Sequence, residues 1–240
     1  MISDVIKRLS YALFPRRCNL CGEVVALSDE RCDDCRKQHR ITGETCEICG
    51  CEKEQCSCPK HVKKPAYKQI IAPYYFEDSI VKAVHRFKFY GYTELARSMA
   101  DEIVSAVNDK YQQIQFDAVT YIPMTKKKFR KRGYNQSQLL AKEIADRLKL
   151  PLSDMLVKII ETSSQRGSTA KERARNLYGA FDIADDAELT GKTILLIDDV
   201  KTTGSTLDEC SATMKSAGAE VYCAVLSVVK QKEKTVKQER

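Results

Sequence analysis

The stretch that most constrains this chain is Thr193–Thr206, TILLIDDVKTTGST. Thr193 to Ile197 is a short apolar run of the kind carried by a parallel strand covered on both faces. Asp198 and Asp199 follow where that strand is expected to end, the usual ligand position of an open α/β sheet. Lys201-Thr202-Thr203-Gly204-Ser205-Thr206 then makes a loop rich in hydroxyls and glycine. Its backbone N–H groups, with the N-terminus of a helix expected from Ser205, suit a phosphate. An ordinary strand, turn and helix would explain the hydrophobic pattern alone. It would not explain an acid pair and an anion loop in one register.

Cysteine is the second constraint. Nine of the 11 cysteines lie between Cys18 and Cys58, and only Cys210 and Cys223 fall outside. No apolar signal-peptide centre precedes them, so metal is favoured over disulfides. Cys18-x2-Cys21 with Cys32-x2-Cys35 supplies four thiolates for one Zn²⁺. Cys46-x2-Cys49 with Cys56-x-Cys58 supplies four for a second. Gly22 and Gly50 follow the second cysteine of their pairs, as zinc knuckles require. Cys51, His39 and His61 are lower-ranked extra candidates. Spacing leaves open whether the sites are sequential or interleaved. An all-cysteine site has no open coordination position, so the zinc is read as structural. So short a segment has too little apolar area for its own core, and metal supplies the missing folding energy.

At 240 residues and 43% hydrophobic, the chain can build one medium domain plus a small module. No apolar run approaches the ~18 residues of a membrane span. Ile2, Val5, Ile6, Leu9 and Leu13 recur at helical spacing. The expected organisation is an amphipathic helix over 1–15, a double zinc-ribbon-like module over 16–62, a core domain over 66–230 and a basic tail over 231–240. The connector is Pro59 to Pro65. These features predict a cytoplasmic protein. The net charge of +7 permits a polyanionic partner. Cations cluster at Lys126, Lys127, Lys128, Arg130, Lys131 and Arg132, and again at Arg166, Lys171, Arg173 and Arg175.

Within the core, Ile70–Phe76 reads as an edge strand or hairpin arm. Helices are expected over 79–88, 95–107, 137–148 and 205–217. Strands are expected over 118–123, 157–160, 176–183 and 221–229. The cationic run after Pro123 reads as a basic loop. Residues 161–176 lack periodic apolar positions and read as a mobile loop over the site. The alternation predicts an α/β fold with a mostly parallel sheet flanked by helices. In His85–Gly91, HRFKFYG, Phe87 and Lys88 are candidates to stack on and neutralise a nucleic acid. Phe87 suits a core position equally well.

Two resemblances rest on these residues. Thr193–Thr206 resembles the 5-phosphoribosyl 1-pyrophosphate (PRPP) motif of type I phosphoribosyltransferases. Together with the cysteine-rich head, HRFKFYG, IPMTKKKFRKRGYNQ (Ile122–Gln136) and QRGSTAKERARNLYGAF (Gln165–Phe181), it makes nearly the whole chain resemble the ComF family of competence-associated proteins. That resemblance implies a zinc-ribbon head on a type I phosphoribosyltransferase-like domain. It also implies a role in DNA uptake and natural transformation, with single-stranded DNA as partner. DNA-uptake helicase or recombination proteins would be further partners. Asp198 and Asp199 would contact the ribose hydroxyls of a PRPP-like ligand, directly or through magnesium. Lys201 and Thr202–Thr206 would hold the 5′-phosphate, and Pro123, Met124, Thr125 and Lys126 would form the pyrophosphate loop. Lys126, Lys128, Arg130, Lys131 and Arg132 would contact nucleic acid. The alternative is an active Mg-dependent phosphoribosyltransferase acting on a base the sequence does not name. No separate base-specificity segment is present; the zinc head and Ile70–Phe89 stand in its place. A zinc-ribbon transcription regulator ranks third, since no helix-turn-helix pattern occurs.

Overall fold

A computed structural model describes residues 10–59, 64–160 and 179–230. Most of the expected N-terminal helix, His61, the loop over 161–176 and the basic tail lie outside the described residues. In chain order the elements are α1 (Asp33–Arg36), β1 (Ile70–Ile71), β2 (Tyr74–Tyr75), α2 (Asp78–Phe89), α3 (Leu95–Lys110) and β3 (Ala118–Tyr121). There follow α4 (Lys126–Arg132), α5 (Gln136–Leu148), β4 (Leu156–Lys158), β5 (Phe181–Ile183), β6 (Thr193–Lys201), α6 (Ser205–Ser216) and β7 (Glu220–Val228).

The main sheet is parallel, with β7 between β6 and the edge formed by β1 and β2, and β3 on the far side of β6. The apolar run of β6 is buried on both faces, as a central parallel strand must be. Leu195 and Ile197 pack with α2, α3 and α5 on one face. Ile194 and Leu196 pack with Leu207, Cys210 and Met214 of α6 on the other. In α2, Ile80, Ala83, Val84 and Phe87 fall at helical spacing and all are buried.

Two expectations need correction, and one alternative is decided. Ile70–Phe76 is the edge strand and not a hairpin arm. Pro73 has no N–H for the ladder, so the edge splits into β1 and β2, both parallel to β7. The pieces at 156–158 and 181–183 form a separate antiparallel pair and do not join the main sheet. The cationic run is a helix, α4, despite its lack of an apolar stripe. Thr125 caps it by accepting the Lys128 N–H at 3.3 Å, and Gly133 ends it at φ +85°.

The head repeats one small design. Arg17 bridges Val24 around the first knuckle, and Thr45 bridges Glu52 around the second. In each, the glycine N–H donates to the first cysteine's carbonyl at 2.8 Å, with φ +76°. Both knuckles dock on the core. Arg86 of α2 donates to the Cys21 carbonyl at 2.8 Å, and Ile70 of β1 donates to the Glu47 carbonyl at 3.1 Å. Buried Glu102 of α3 receives Arg31, Arg40 and the Tyr74 hydroxyl. Two cations and a hydroxyl thus compensate one buried carboxylate and tie the head to α3.

Gly50 shows how tight this docking is. A Cβ there would meet Val228 Cγ1 at 3.2 Å and Ile70 Cγ2 at 3.5 Å, whereas a Cβ on Gly91 meets nothing within 4 Å. Both glycines have nearly the same φ, +76° and +73°. The backbone strain of an alanine is therefore shared, roughly 1–2 kcal/mol. Gly50→Ala adds overpacking of about 1–3 kcal/mol. In thermal melts of the zinc-loaded protein, Gly50→Ala should fall clearly below Gly91→Ala; equal melting temperatures would refute the docking.

Candidate ligand crevice and metal centres

β6 runs past the acid pair to Lys201, so Asp198 and Asp199 lie within the strand and not after its end. The neighbouring β3 stops earlier, its last pair being Tyr121 with Ile197. The acids thus stand just beyond the end of β3, where the sheet opens into a cavity of about 770 Å³. Lining it are Asp198, Asp199, Thr202 and Thr206 from one side. Pro123, Met124, Thr125 and Lys128 face them from the β3–α4 junction. Lys131 and Arg132 of α4, Lys88 and Phe89 of α2 and Lys158 of β4 add to the wall. Of the residues assigned from sequence, Asp198, Asp199, Thr202, Thr206, Pro123, Met124 and Thr125 are brought together here.

Each acid has a dedicated partner. Asp198 Oδ1 accepts the Ser137 hydroxyl at 2.7 Å and the Asp199 N–H at 2.9 Å. Asp199 is 2% exposed, and its Oδ2 lies 2.6 Å from Lys88 Nζ. That oxygen accepts no well-directed hydrogen bond, so charge attraction alone holds it. Burial and the neighbouring Asp199 charge push the Asp198 carboxyl up to about 7, against the opposing pull of Lys88 and Ser137. Burial, and then Lys128, push the Lys158 ammonium down. That ammonium sits over the Phe181 ring, with Nζ 4.8 Å from its centroid.

The anion loop has the expected form. Gly204 is the N-cap of α6 at φ +83°, with no side-chain cap, and Thr203 Oγ1 pairs with Ser205 Oγ at 3.0 Å. Thr203 Oγ1 also accepts the Ser205 N–H at 3.4 Å, and Thr202 and Thr206 are the loop residues that line the crevice. Lys201 differs from its sequence assignment. It is buried, does not line the cavity, and places Cε 3.0 Å from where a Gly204 Cβ would sit. It packs beneath the loop. Lys126 and Arg130 are exposed and lie outside the lining. Phe87 is fully buried and has no face to offer a base; the exposed rings of that segment are Phe89 and Tyr90.

Sequence reasoning missed Ser137, Asn135 and Lys158. Asn135 caps α5 by accepting the Ser137 N–H at 3.1 Å, while its amide donates to the Ile122 carbonyl at 3.0 Å. The signal was present as Asn at a helix start, and only the packing shows that it aims Ser137 at Asp198.

Two cysteine quartets stand in the head: Cys18, Cys21, Cys32 and Cys35, and then Cys46, Cys49, Cys56 and Cys58. Within each, the sulfurs lie within 4.8 Å of one another. The sites are therefore sequential. Four sulfurs and no open position fit structural zinc. Cys51 stands outside the quartets, buried among core residues. His39 pairs with Glu52 at 3.2 Å and stacks on Tyr75.

The sequence matches the double zinc ribbon domain over residues 9–62 and the phosphoribosyl transferase domain over residues 135–239. Competence protein F of Haemophilus influenzae is 32% identical over 217 residues, covering 86% of this chain and 94% of the relative. The chain belongs to the competence protein F family. Within that family's range, competence protein ComFC of Bacillus subtilis is 30% identical over 189 residues, 75% of each chain. DNA utilization protein YhgH of Salmonella typhimurium is 28% identical over 221 residues, 87% of this chain and 96% of the relative. The chain has the expected type I phosphoribosyltransferase fold, a parallel sheet flanked by helices, with an N-terminal double zinc ribbon. Among the described residues, no helix is long and apolar enough to cross a membrane.

Two measurements follow. A carboxyl whose folded pKa stands above its unfolded value stabilises the fold at low pH and loses that contribution as pH rises through the folded pKa. Asp198→Asn should therefore raise the melting temperature of the ligand-free protein at pH 8 and leave it nearly unchanged at pH 4; a pH-independent difference would contradict the shifted carboxyl. Metal analysis should give two zinc ions per chain. Cys21→Ser and Cys49→Ser should each lose one, whereas joint loss from either variant would contradict two separate quartets.

Proposed function

We propose that this chain handles single-stranded DNA in a competence-type or DNA-utilization process in the cytoplasm, and holds a PRPP-like or nucleotide-like ligand in its crevice. The observation that carries the reading is one cavity lined by the acid pair, the anion loop and the basic helix α4. In this reading Asp198 and Asp199 accept from two vicinal ribose hydroxyls. The amides at the start of α6 take the 5′-phosphate. Ser137 fixes the rotamer of Asp198, and the Lys88 ammonium holds the Asp199 carboxylate in place. The Pro123–Lys126 turn takes the pyrophosphate, and Lys128 and Lys158 neutralise it.

Magnesium suits the same acids. Asp199 Oδ2 is a buried carboxylate oxygen facing a cation without a well-directed donor. Asp198 and Asp199 would hold the ion with the ligand, where it would offset phosphate charge. The nucleic acid would run along α4, from Lys131 and Arg132 at the mouth of the crevice to the exposed Lys126 and Arg130. A DNA-uptake helicase or a recombination protein would be the partner that delivers or receives the strand. The competence and DNA-utilization relatives support the process; the crevice supports the ligand class.

The test has two arms. Calorimetry with PRPP and Mg²⁺ should show binding that Ser137→Ala weakens and Asp199→Asn abolishes. Binding of labelled single-stranded DNA should weaken with salt, as counterion release requires. Changing Lys126, Lys128, Arg130 and Arg132 to Glu should lower it by about tenfold or more and flatten the salt slope. Unchanged DNA affinity in that variant would sink the nucleic-acid arm, and no PRPP binding by the parent would sink the ligand arm. Pyrophosphate release with a panel of bases would extend the reading to catalysed transfer.

A further inference from the structure

The C-terminal end of α2 leaves two large aromatic rings in water. Phe89 is 61% exposed and Tyr90 is 66% exposed. The His85 ring lies 4.9 Å from the Phe89 ring and 5.6 Å from the Tyr90 ring, tilted against both. From α4, the Arg132 guanidinium sits over Phe89, 5.2 Å from its centroid. Three rings and a cation from two elements thus form one exposed patch.

These rings are not spare core residues. The core face of α2 is complete with Ile80, Ala83, Val84 and Phe87, all buried. Directly after Tyr90 the chain turns away at Gly91, φ +73°. Nothing in the fold requires aromatics at the two positions before that turn, and small polar residues there would spare the cost of hydrating apolar area. Phe89 and Arg132 also line the cavity that contains Asp198 and Thr202. The patch is therefore the outer lip of the crevice, with Lys128 and Lys131 of α4 beside it.

We propose that His85, Phe89, Tyr90 and Arg132 form a platform on which unpaired bases of a single-stranded nucleic acid stack, while its phosphates follow the cations of α4. This rests on the single-strand reading above and adds to it where the bases go. Every base has a π face, so such stacking tolerates any sequence, and a guanidinium plane stacks as a ring does. A duplex hides those faces, so the platform selects unpaired strands. A protein partner docking on the same rings would read no bases at all.

The experiment compares three ligands of equal phosphate number on the full zinc-loaded chain, by fluorescence anisotropy. They are a short thymidine oligonucleotide of about 12 units, the same backbone with abasic tetrahydrofuran units throughout, and a duplex. The platform predicts that thymidine binds roughly 5- to 150-fold more tightly than the abasic strand for each base that stacks. In Phe89→Ala/Tyr90→Ala that preference should fall to near unity while abasic binding stays at its parental level. Both side chains are exposed, and zinc content checks that the variant is folded. Equal, salt-sensitive binding of thymidine and abasic strands by the parent would overturn the platform and leave the electrostatic reading standing. A preference that survives the double variant would also overturn it, by placing the stacking elsewhere. Absence of binding to either strand would overturn the single-strand reading and the platform with it.

Discussion

The crevice depends on two adjacent carboxylates held within a central strand, just beyond the apolar run Ile194–Ile197. Such a pair is costly, because each charge is taken from water and set beside its like. Lys88 and Ser137 offset the cost from two different helices, at 2.6 and 2.7 Å. Neither partner is near the acids in sequence. α2 and α5 must therefore dock on the sheet in fixed positions before the acid pair is tolerable. The apolar stripe of α2 and the Leu140, Ala141 and Ile144 face of α5 make that docking. Here the packing of the core and the electrostatics of the site are one requirement.

The zinc head shares in it. Its first knuckle leans on α2 through Arg86, the helix that carries Lys88. Its second knuckle reaches the anion loop through Tyr67. The Tyr67 hydroxyl donates to the Ile48 carbonyl at 2.7 Å and lies 3.6 Å from where a Gly204 Cβ would sit. Next to it, the Ala66 N–H donates to Asp208 in the first turn of α6 at 2.6 Å. Metal binding is folding free energy for a module of this size. Because both ribbons are packed into the two faces of the core, that free energy also bears on the helices and loop that shape the crevice.

What the sequence disclosed was local. The strand, acids and loop of Thr193–Thr206 fall within one short window, as do the knuckles, so spacing alone carries their chemistry. The helices of the core were legible because their apolar positions recur at helical spacing. α4 was not, because KKKFRKR has one apolar residue and no stripe; its Thr and Gly caps were the overlooked signal. Ser137 and Lys158 could not be read at all, since their roles come from neighbours about 61 and 40 positions away. The exchange of Phe87 for Phe89 as the available ring has the same origin. Both are aromatic, two residues apart, and only the orientation of the helix decides which one meets the core.

That orientation gives the last turn of α2 an unusual division of labour. Successive residues of a helix point about 100° apart. Phe87 enters the core, Lys88 meets Asp199, and Phe89 stands at the lip of the crevice. Tyr134 ties this turn to the loop before α5, its hydroxyl donating to the Phe87 carbonyl. The floor and the rim of the crevice belong to one element, and its anchoring in the core keeps them in register.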